Sequence, residues 1–312
     1  MSEMDNRVFE LLADKPDLVS DFPDWMLSPS AVDEIRATED VAIAEIAGRD
    51  SIAAVIRACE LRPIRAIVPT IAYTATEYGR WKTPFEKAEL VKERLKRNHI
   101  KVFDPVIVGS PRIWWTLCGK ETAQLNREFG FLPHCVGCHL YFHAIRIPLA
   151  KKLRSKLVIG GERESHDGKI KINQIKVSLD AYQFFLKKFD IELFLPLRHI
   201  TSGEEIEAII GMQWDEGEQQ LECVLSKNYR QRDGSVIVNE ESIKRFFYEF
   251  AFDTAEKNIR EFLEIKKVNF GFYLTFVTKD AKIMVKRPGN KKEIFQLLKS
   301  VFTVDCGIFS IN

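Results

Sequence analysis

The chain has 312 residues, of which 46% are hydrophobic, and its 46 Lys and Arg against 45 Asp and Glu leave a formal charge of +1. That length supports a full core, as one large domain with appendages or as two domains. The near-neutral balance excludes the polycationic field that drives sequence-independent nucleic-acid binding. No apolar run approaches the roughly 20 residues needed to span a bilayer, and the N-terminus is acidic. The six cysteines are too few and too irregularly spaced for a secreted disulfide framework. A cytoplasmic protein with reduced thiols and no membrane partner is expected.

Residues 1–40 are acid-rich and broken by Pro16, Pro23 and Pro29, which predicts an arm or small helical cap. From 41 onward apolar stretches alternate with amphipathic ones, the pattern of βα units. Strands are expected near 41–46, 64–70, 101–108, 157–160 and 190–195, with helices near 51–60, 84–98, 139–154 and 177–188. The fold class is therefore α/β, with a mainly parallel five-stranded sheet and helices on both faces over 41–230. After about 230 the alternation stops. A helical block at 240–266 leads into β-leaning segments around 268–277 and 300–311, so 231–312 read as a C-terminal α+β subdomain. The Lys and Arg residues between 85 and 97 fall at helical spacing and read as a solvated face, and the basic turn at 286–292 as exposed surface.

Three segments carry chemistry. The first strand runs into Ala47-Gly48-Arg49-Asp50-Ser51, a small-residue turn at the start of a helix, where backbone N–H groups and the helix dipole favour a phosphate. Ser51 can donate to a phosphate oxygen, and Asp50 can hold Mg²⁺ or cap the helix. The second segment is His134-Cys135-Val136-Gly137-Cys138-His139, with His143 beyond. Two thiolates at this spacing chelate one metal ion or two irons of a cluster. Zinc would add His139, His143 or His134; the other reading needs a third cysteine, and Cys223 follows the fifth strand closely enough to return to the same end of the sheet. Cys59 reads as core, and Cys118 lies within reach of the site without being required. The third segment is Gly160-Gly161-Glu162-Arg163-Glu164-Ser165-His166-Asp167-Gly168-Lys169, an apolar strand opening into dense charge that must face solvent or a polar site. His166 has the ordinary range for an acid or base near neutral pH, and Arg198 can contact phosphate or RNA, or pair with a carboxylate.

Gly48-Arg49-Asp50-Ser51 resembles the last four positions of the Ser-Gly-Gly-x-Asp-Ser loop of PP-loop ATP pyrophosphatases. Ile46 and Ala47 depart from it, removing one hydroxyl and disfavouring a positive φ at 47. The resemblance implies nucleotide contacts from Ala47, Gly48, Arg49, Asp50, Ser51, Thr70, Ala72, Gly160, Gly161 and Glu162. It also implies a Mg²⁺ site at Asp167, phosphate contacts from Arg163 or Lys169, and catalytic roles for Asp50 and Asp167. The order Cys135, Cys138, Gly160-Gly161, Pro196-Leu197-Arg198, Cys223 is similar to that of the iron-sulfur tRNA thiolation enzymes of the same superfamily over about 41–230. That likeness implies ATP-dependent adenylation of a carbonyl oxygen with pyrophosphate release, then sulfur transfer to a tRNA or other nucleobase-containing acceptor. It implies a 4Fe-4S cluster on Cys135, Cys138 and Cys223, leaves the sulfur donor open and is compatible with a homodimer. Two alternatives stand beside it: a zinc-containing PP-loop enzyme acting on a small molecule, and a non-catalytic nucleotide-binding protein motivated by the altered Ile46-Ala47 start.

Overall fold

In the structure, a computed structural model describing residues 3–214 and 220–264, the apolar run Val41–Glu45 forms strand β1, inward-facing along its whole length. A strand covered on both faces reads as such a run. The others are β2 (Ala66–Tyr73), β3 (Glu77–Tyr78), β4 (Lys101–Val102), β5 (Val106–Gly109), β6 (Leu157–Ile159), β7 (Glu192–Phe194) and β8 (Glu222–Cys223). The helices are α1 (Glu3–Asp14), α2 (Pro29–Ala37), α3 (Arg49–Leu61), α4 (Lys82–Lys96), α5 (Pro111–Trp114), α6 (Thr122–Phe129), α7 (His134–Ala144), α8 (Ile147–Leu153), α9 (Lys176–Lys187), α10 (Gly203–Ile210), α11 (Glu240–Phe246) and α12 (Phe252–Glu264).

The main sheet is wholly parallel. β1 pairs with β2 on one side and β6 on the other, β7 follows β6, and β2 carries β4 and β5. β4 lies opposite Ala66 and Ile67, and β5 opposite Thr70 to Tyr73, so both occupy one strand position. The third strand expected at 101–108 is thus broken at Phe103-Asp104-Pro105, where proline removes a donor from the ladder. Five strand positions result, in the α/β arrangement the sequence implies. The chain leaves β1 towards β2 and later returns on its other side to form β6. Ligands collect at the carboxyl ends of the strands on either side of such a reversal.

Alternation along β1 divides the core. Ala42 and Ala44 pack with α3, α4 and α10 through Ile52, Val55, Leu95 and Ile206, whereas Val41 and Ile43 join the larger cluster on the opposite face. That cluster also buries Val8 and Leu12 of α1, Val32 and Ile35 of α2, and Ile243, Ala255 and Ile259 of α11 and α12. Residues before 41 and after 230 thus share the core of the sheet, within a unit that runs to Glu264. The segments at 268–277 and 300–311 and the basic turn at 286–292 lie outside the described residues. No helix among the described residues is long and apolar enough to cross a membrane.

One helix expected at 139–154 is two. α7 begins at His134, so Cys135 and Cys138 lie on helical turns, and the helix ends before Arg146 because Pro148 suits the first turn of α8 rather than a helix interior. The antiparallel pair β3–β8, with Glu77 opposite Cys223, has no counterpart in the sequence reading.

Candidate nucleotide and thiol cleft

A cleft of about 960 Å³ opens at the carboxyl ends of β1 and β6. Its wall includes Ala47 to Ser51, Gly161 to Arg163, and Cys135, Cys138 and Cys223. The phosphate-loop and cysteine segments, distant in sequence, thus face one space.

The loop after β1 is organised by Ser51. Its hydroxyl accepts from Ala47 N–H at 2.9 Å and Gly48 N–H at 3.1 Å, and donates to Gly48 O at 2.8 Å. Gly48, not Asp50, stands at the N-cap of α3 with φ −142°. Ala47 is not among the residues with positive φ, so a glycine is not required there and the departure at 47 imposes no backbone strain. Glycine is required at 161. A Cβ there would stand 2.6 Å from Ser51 N and 2.9 Å from Asp50 C, so the loops after β1 and β6 touch backbone to backbone.

Asp50 is gripped by two guanidinium groups: Arg49 Nε lies 3.0 Å from Oδ1 and Arg163 Nε 3.0 Å from Oδ2. Burial pushes its carboxyl up, but Arg163 and then Arg49 outweigh that and hold it below the usual range. Arg163 also lies 3.6 Å from Asp167 and donates to Thr201 O at 2.7 Å. Asp167 accepts from Gly203 N–H at 2.7 Å, the largest cause of its lowered pKa. Both expected catalytic carboxylates are therefore bound to one buried arginine. Lys169 and Lys171 line the cleft nearby. His166 is pushed down to about 4 by burial, Lys171 and Arg163, which removes it as an acid at neutral pH. Arg198 is committed to Glu164 and Asp180, each at 2.6 Å, and is not offered to phosphate or RNA.

Of the two expected adenine contacts, Ala72 lines the cleft and Thr70 does not. Thr70 is fully buried; its hydroxyl donates to Ala44 O at 2.8 Å and accepts from Arg146 Nε at 2.8 Å. The buried Arg146 also donates to Phe142 O and lies 3.6 Å from Glu45, on the cleft wall. Neither Arg146 nor Glu45 was singled out from sequence, although a lone arginine in the apolar stretch His143 to Leu149 was a visible signal. Gly160 lies behind the wall, with His143 and Leu195 against it.

Cysteines 135, 138 and 223 share the wall, but each has its own partner. Trp114 Nε1 donates to Cys138 Sγ at 3.3 Å, Cys135 Sγ lies 3.6 Å from Asn228 Oδ1, and Cys223 Sγ 3.2 Å from Thr76 Oγ1. Burial and then Cys223 push the Cys135 thiol up to about 11; burial and then Cys118 push Cys138 well above its ordinary value. Buried Cys118, set aside in the sequence reading, stands 3.1 Å from where a Cβ on Gly137 would lie. Among the described residues no three His, Cys, Asp or Glu side chains converge to hold a metal ion. The thiols thus match a soft metal in kind and location, but not as a preformed cage. The histidines of the zinc alternative are turned elsewhere. His139 Nδ1 and His143 Nε2 lie 3.2 and 2.8 Å from Glu162 Oε1, and His134 meets Thr122 and Asn228. Burial raises the Glu162 carboxyl, but His143 and His139 outweigh it and hold it well below the carboxylate range.

No known family model matches the chain. Solved structures that align with it include a protein described as a predicted subunit of a tRNA methyltransferase from Methanocaldococcus jannaschii (14% identity, 56% of this chain and 75% of that one, TM-score 0.32). Two others are the U34-tRNA thiolase NcsA of Methanococcus maripaludis with its 4Fe-4S cluster (11%, 82% and 88%, 0.33) and NMN synthetase of Francisella tularensis (14%, 86% and 100%, 0.29). Scores this low transfer no function. At the sequence level, the uncharacterized protein MJ0009 of Methanocaldococcus jannaschii is 39% identical over 242 residues, covering 77% of this chain and 86% of that protein. The chain belongs to the same family as this archaeal protein.

Proposed function

We propose that the chain is a PP-loop ATP pyrophosphatase that adenylates a carbonyl oxygen and then passes sulfur to the activated carbon, with a tRNA base as acceptor. The observation that carries this reading is the single cleft that presents the Ala47–Ser51 loop and Cys135, Cys138 and Cys223 at the carboxyl ends of β1 and β6. Nucleotide triphosphate would take the loop end. There Ala47 and Gly48 N–H groups, released from Ser51 Oγ, donate to phosphate oxygens together with the N-terminus of α3. Adenine would lie against Ile71 and Ala72.

In the reaction the acceptor oxygen attacks the α-phosphorus, the bond to the bridging oxygen breaks, and pyrophosphate leaves with its added charge held by the loop, Arg163 and Lys169. Half-exposed Asp167 is the carboxylate most free to share Mg²⁺, whereas Asp50 positions Arg49 and Arg163. Cys135, Cys138 and Cys223 would hold a 4Fe-4S cluster, which supplies sulfide to the displacement of AMP. A bound metal deprotonates its thiol ligands, so raised thiol pKa values are compatible with loading.

Zinc is the second reading, for which Cys118, 3.1 Å from where a Cβ on Gly137 would lie, offers a further thiol beside the Cys135–Cys138 turn. Anaerobic purification with iron, sulfide and zinc analysis separates the two. Pyrophosphate release that depends on bulk tRNA tests the acceptor, and ATP binding without turnover on tRNA or metabolite pools would instead support a nucleotide-binding protein.

A further inference from the structure

The phosphate loop is covered by a side chain from a distant part of the sequence. Gln220 is an exposed residue of the cleft wall, and its amide rests on Gly48, also on that wall. A Cβ added to Gly48 would collide with Gln220 Oε1, with Cδ 3.2 Å and Cβ 3.7 Å away, so the missing side chain of Gly48 is what makes room for the amide. Gly48 is the N-cap of α3, and the partly negative amide oxygen therefore lies at the positive end of a 13-residue helix. The loop does not bond to it. Ala47 and Gly48 N–H are both turned onto Ser51 Oγ, so the amide rests on the loop by contact. A phosphate oxygen drawn to these N–H groups and to the start of α3 needs the volume that the amide fills.

The backbone beneath Gln220 is anchored. Leu221 Cδ2 lies 3.4 Å and Gln220 O 3.9 Å from where a Cβ on Gly79 would be, and β8 follows at once, with Glu222 opposite Tyr78 and Cys223 opposite Glu77. Clearing the loop is thus a rotation of one exposed side chain, which leaves the β3–β8 pair in place.

We infer that Gln220 covers the phosphate loop of the nucleotide-free chain and competes with the incoming phosphate, so that the cleft binds only in the fraction of molecules in which this amide has turned away. The inference rests on the proposal that the Ala47–Ser51 loop takes phosphate. An apparent dissociation constant scales inversely with the competent fraction, so a covered state favoured about ten to one weakens binding about tenfold.

The test is calorimetric binding of inorganic pyrophosphate and of ATP to the full chain and to Gln220→Ala. The variant should bind pyrophosphate about 3- to 10-fold more tightly than the wild type. Its melting temperature should be unchanged, because the side chain is exposed. A truncation that merely loosened the cleft wall would weaken binding, so the sign of the change is diagnostic. Unchanged pyrophosphate affinity in Gln220→Ala would overturn the inference while leaving phosphate binding intact. Weaker binding would also overturn it, and would assign the amide as a phosphate ligand instead. Failure of both proteins to bind either pyrophosphate or ATP would overturn the phosphate-loop reading and this inference with it.

Discussion

Replacing Gly161 by alanine tests whether the loops after β1 and β6 are locked to each other. The added Cβ would lie 2.6 Å from Ser51 N, 2.7 Å from Ser51 Cα and 2.9 Å from Asp50 C, all inside the 3.4 Å at which ordinary contact begins. These are backbone atoms of the first turn of α3, and they cannot yield by a rotamer change. Overpacking of this kind costs about 1–3 kcal/mol. With backbone on the receiving side the upper half of that range applies, which corresponds to a melting temperature lower by roughly 4–10 °C for a unit of this size. The displaced atoms include those that set the direction of the Ala47 and Gly48 N–H groups, so pyrophosphate binding should weaken beyond the loss of stability. Gly130→Ala is the control. Its φ is +73° at the end of α6 with nothing within 4 Å, so it should cost about 1 kcal/mol of backbone strain and leave pyrophosphate affinity unchanged. Thermal unfolding and pyrophosphate calorimetry on both variants are the assays. A Gly161→Ala protein with wild-type melting temperature and affinity would refute the backbone contact.

Arg163→Met should destabilise the protein by about 1–3 kcal/mol near neutral pH, because it removes one of the two guanidinium groups that hold the partly buried Asp50 carboxylate and leaves only Arg49. Asp50 titrates lower in the folded state, so its stabilisation is present above its ordinary 3.8 and is lost as pH falls through the depressed value; denaturant curves of variant and wild type should converge in acid. His166 works in the same direction at higher pH. Between 6.5 and about 4 the unfolded chain takes up a proton that the folded ring refuses, so stability drops across that window, and His166→Asn should flatten the drop. Thr70→Val should cost about 1–3 kcal/mol by uncoupling Arg146 from Ala44 without altering ATP affinity, whereas Ala72→Phe should weaken ATP binding with little effect on melting.

The sheet was legible in sequence because β1, β2 and β6 are apolar runs separated by helices, and βα connectivity leaves few arrangements for them. The break between β4 and β5 was signalled by Pro105 but fell inside a run that looked continuous. What the sequence concealed was mostly contact between distant residues. Thr70 looked available at a strand end, yet its hydroxyl is taken by Arg146, 76 residues away. Asp50 and Asp167 were recognised as carboxylates near phosphate, but nothing local indicated that Arg163 holds both. The histidines beside Cys135 and Cys138 suggested zinc by proximity, while helical geometry sends His139 and His143 one turn apart to a common carboxylate on the next strand's loop. Packing of residues 1–40 and 240–264 onto the sheet was likewise hidden, because Pro-broken and purely helical segments carry no mark of what they cover.

The most direct test of sulfur transfer is the metal content of protein purified without oxygen. The account predicts a brown protein with about four irons and four sulfides per chain, lost together in Cys135→Ser, Cys138→Ser or Cys223→Ser and retained in Cys118→Ser. Colourless protein with about one zinc per chain, dependent on Cys118 as well, would contradict it.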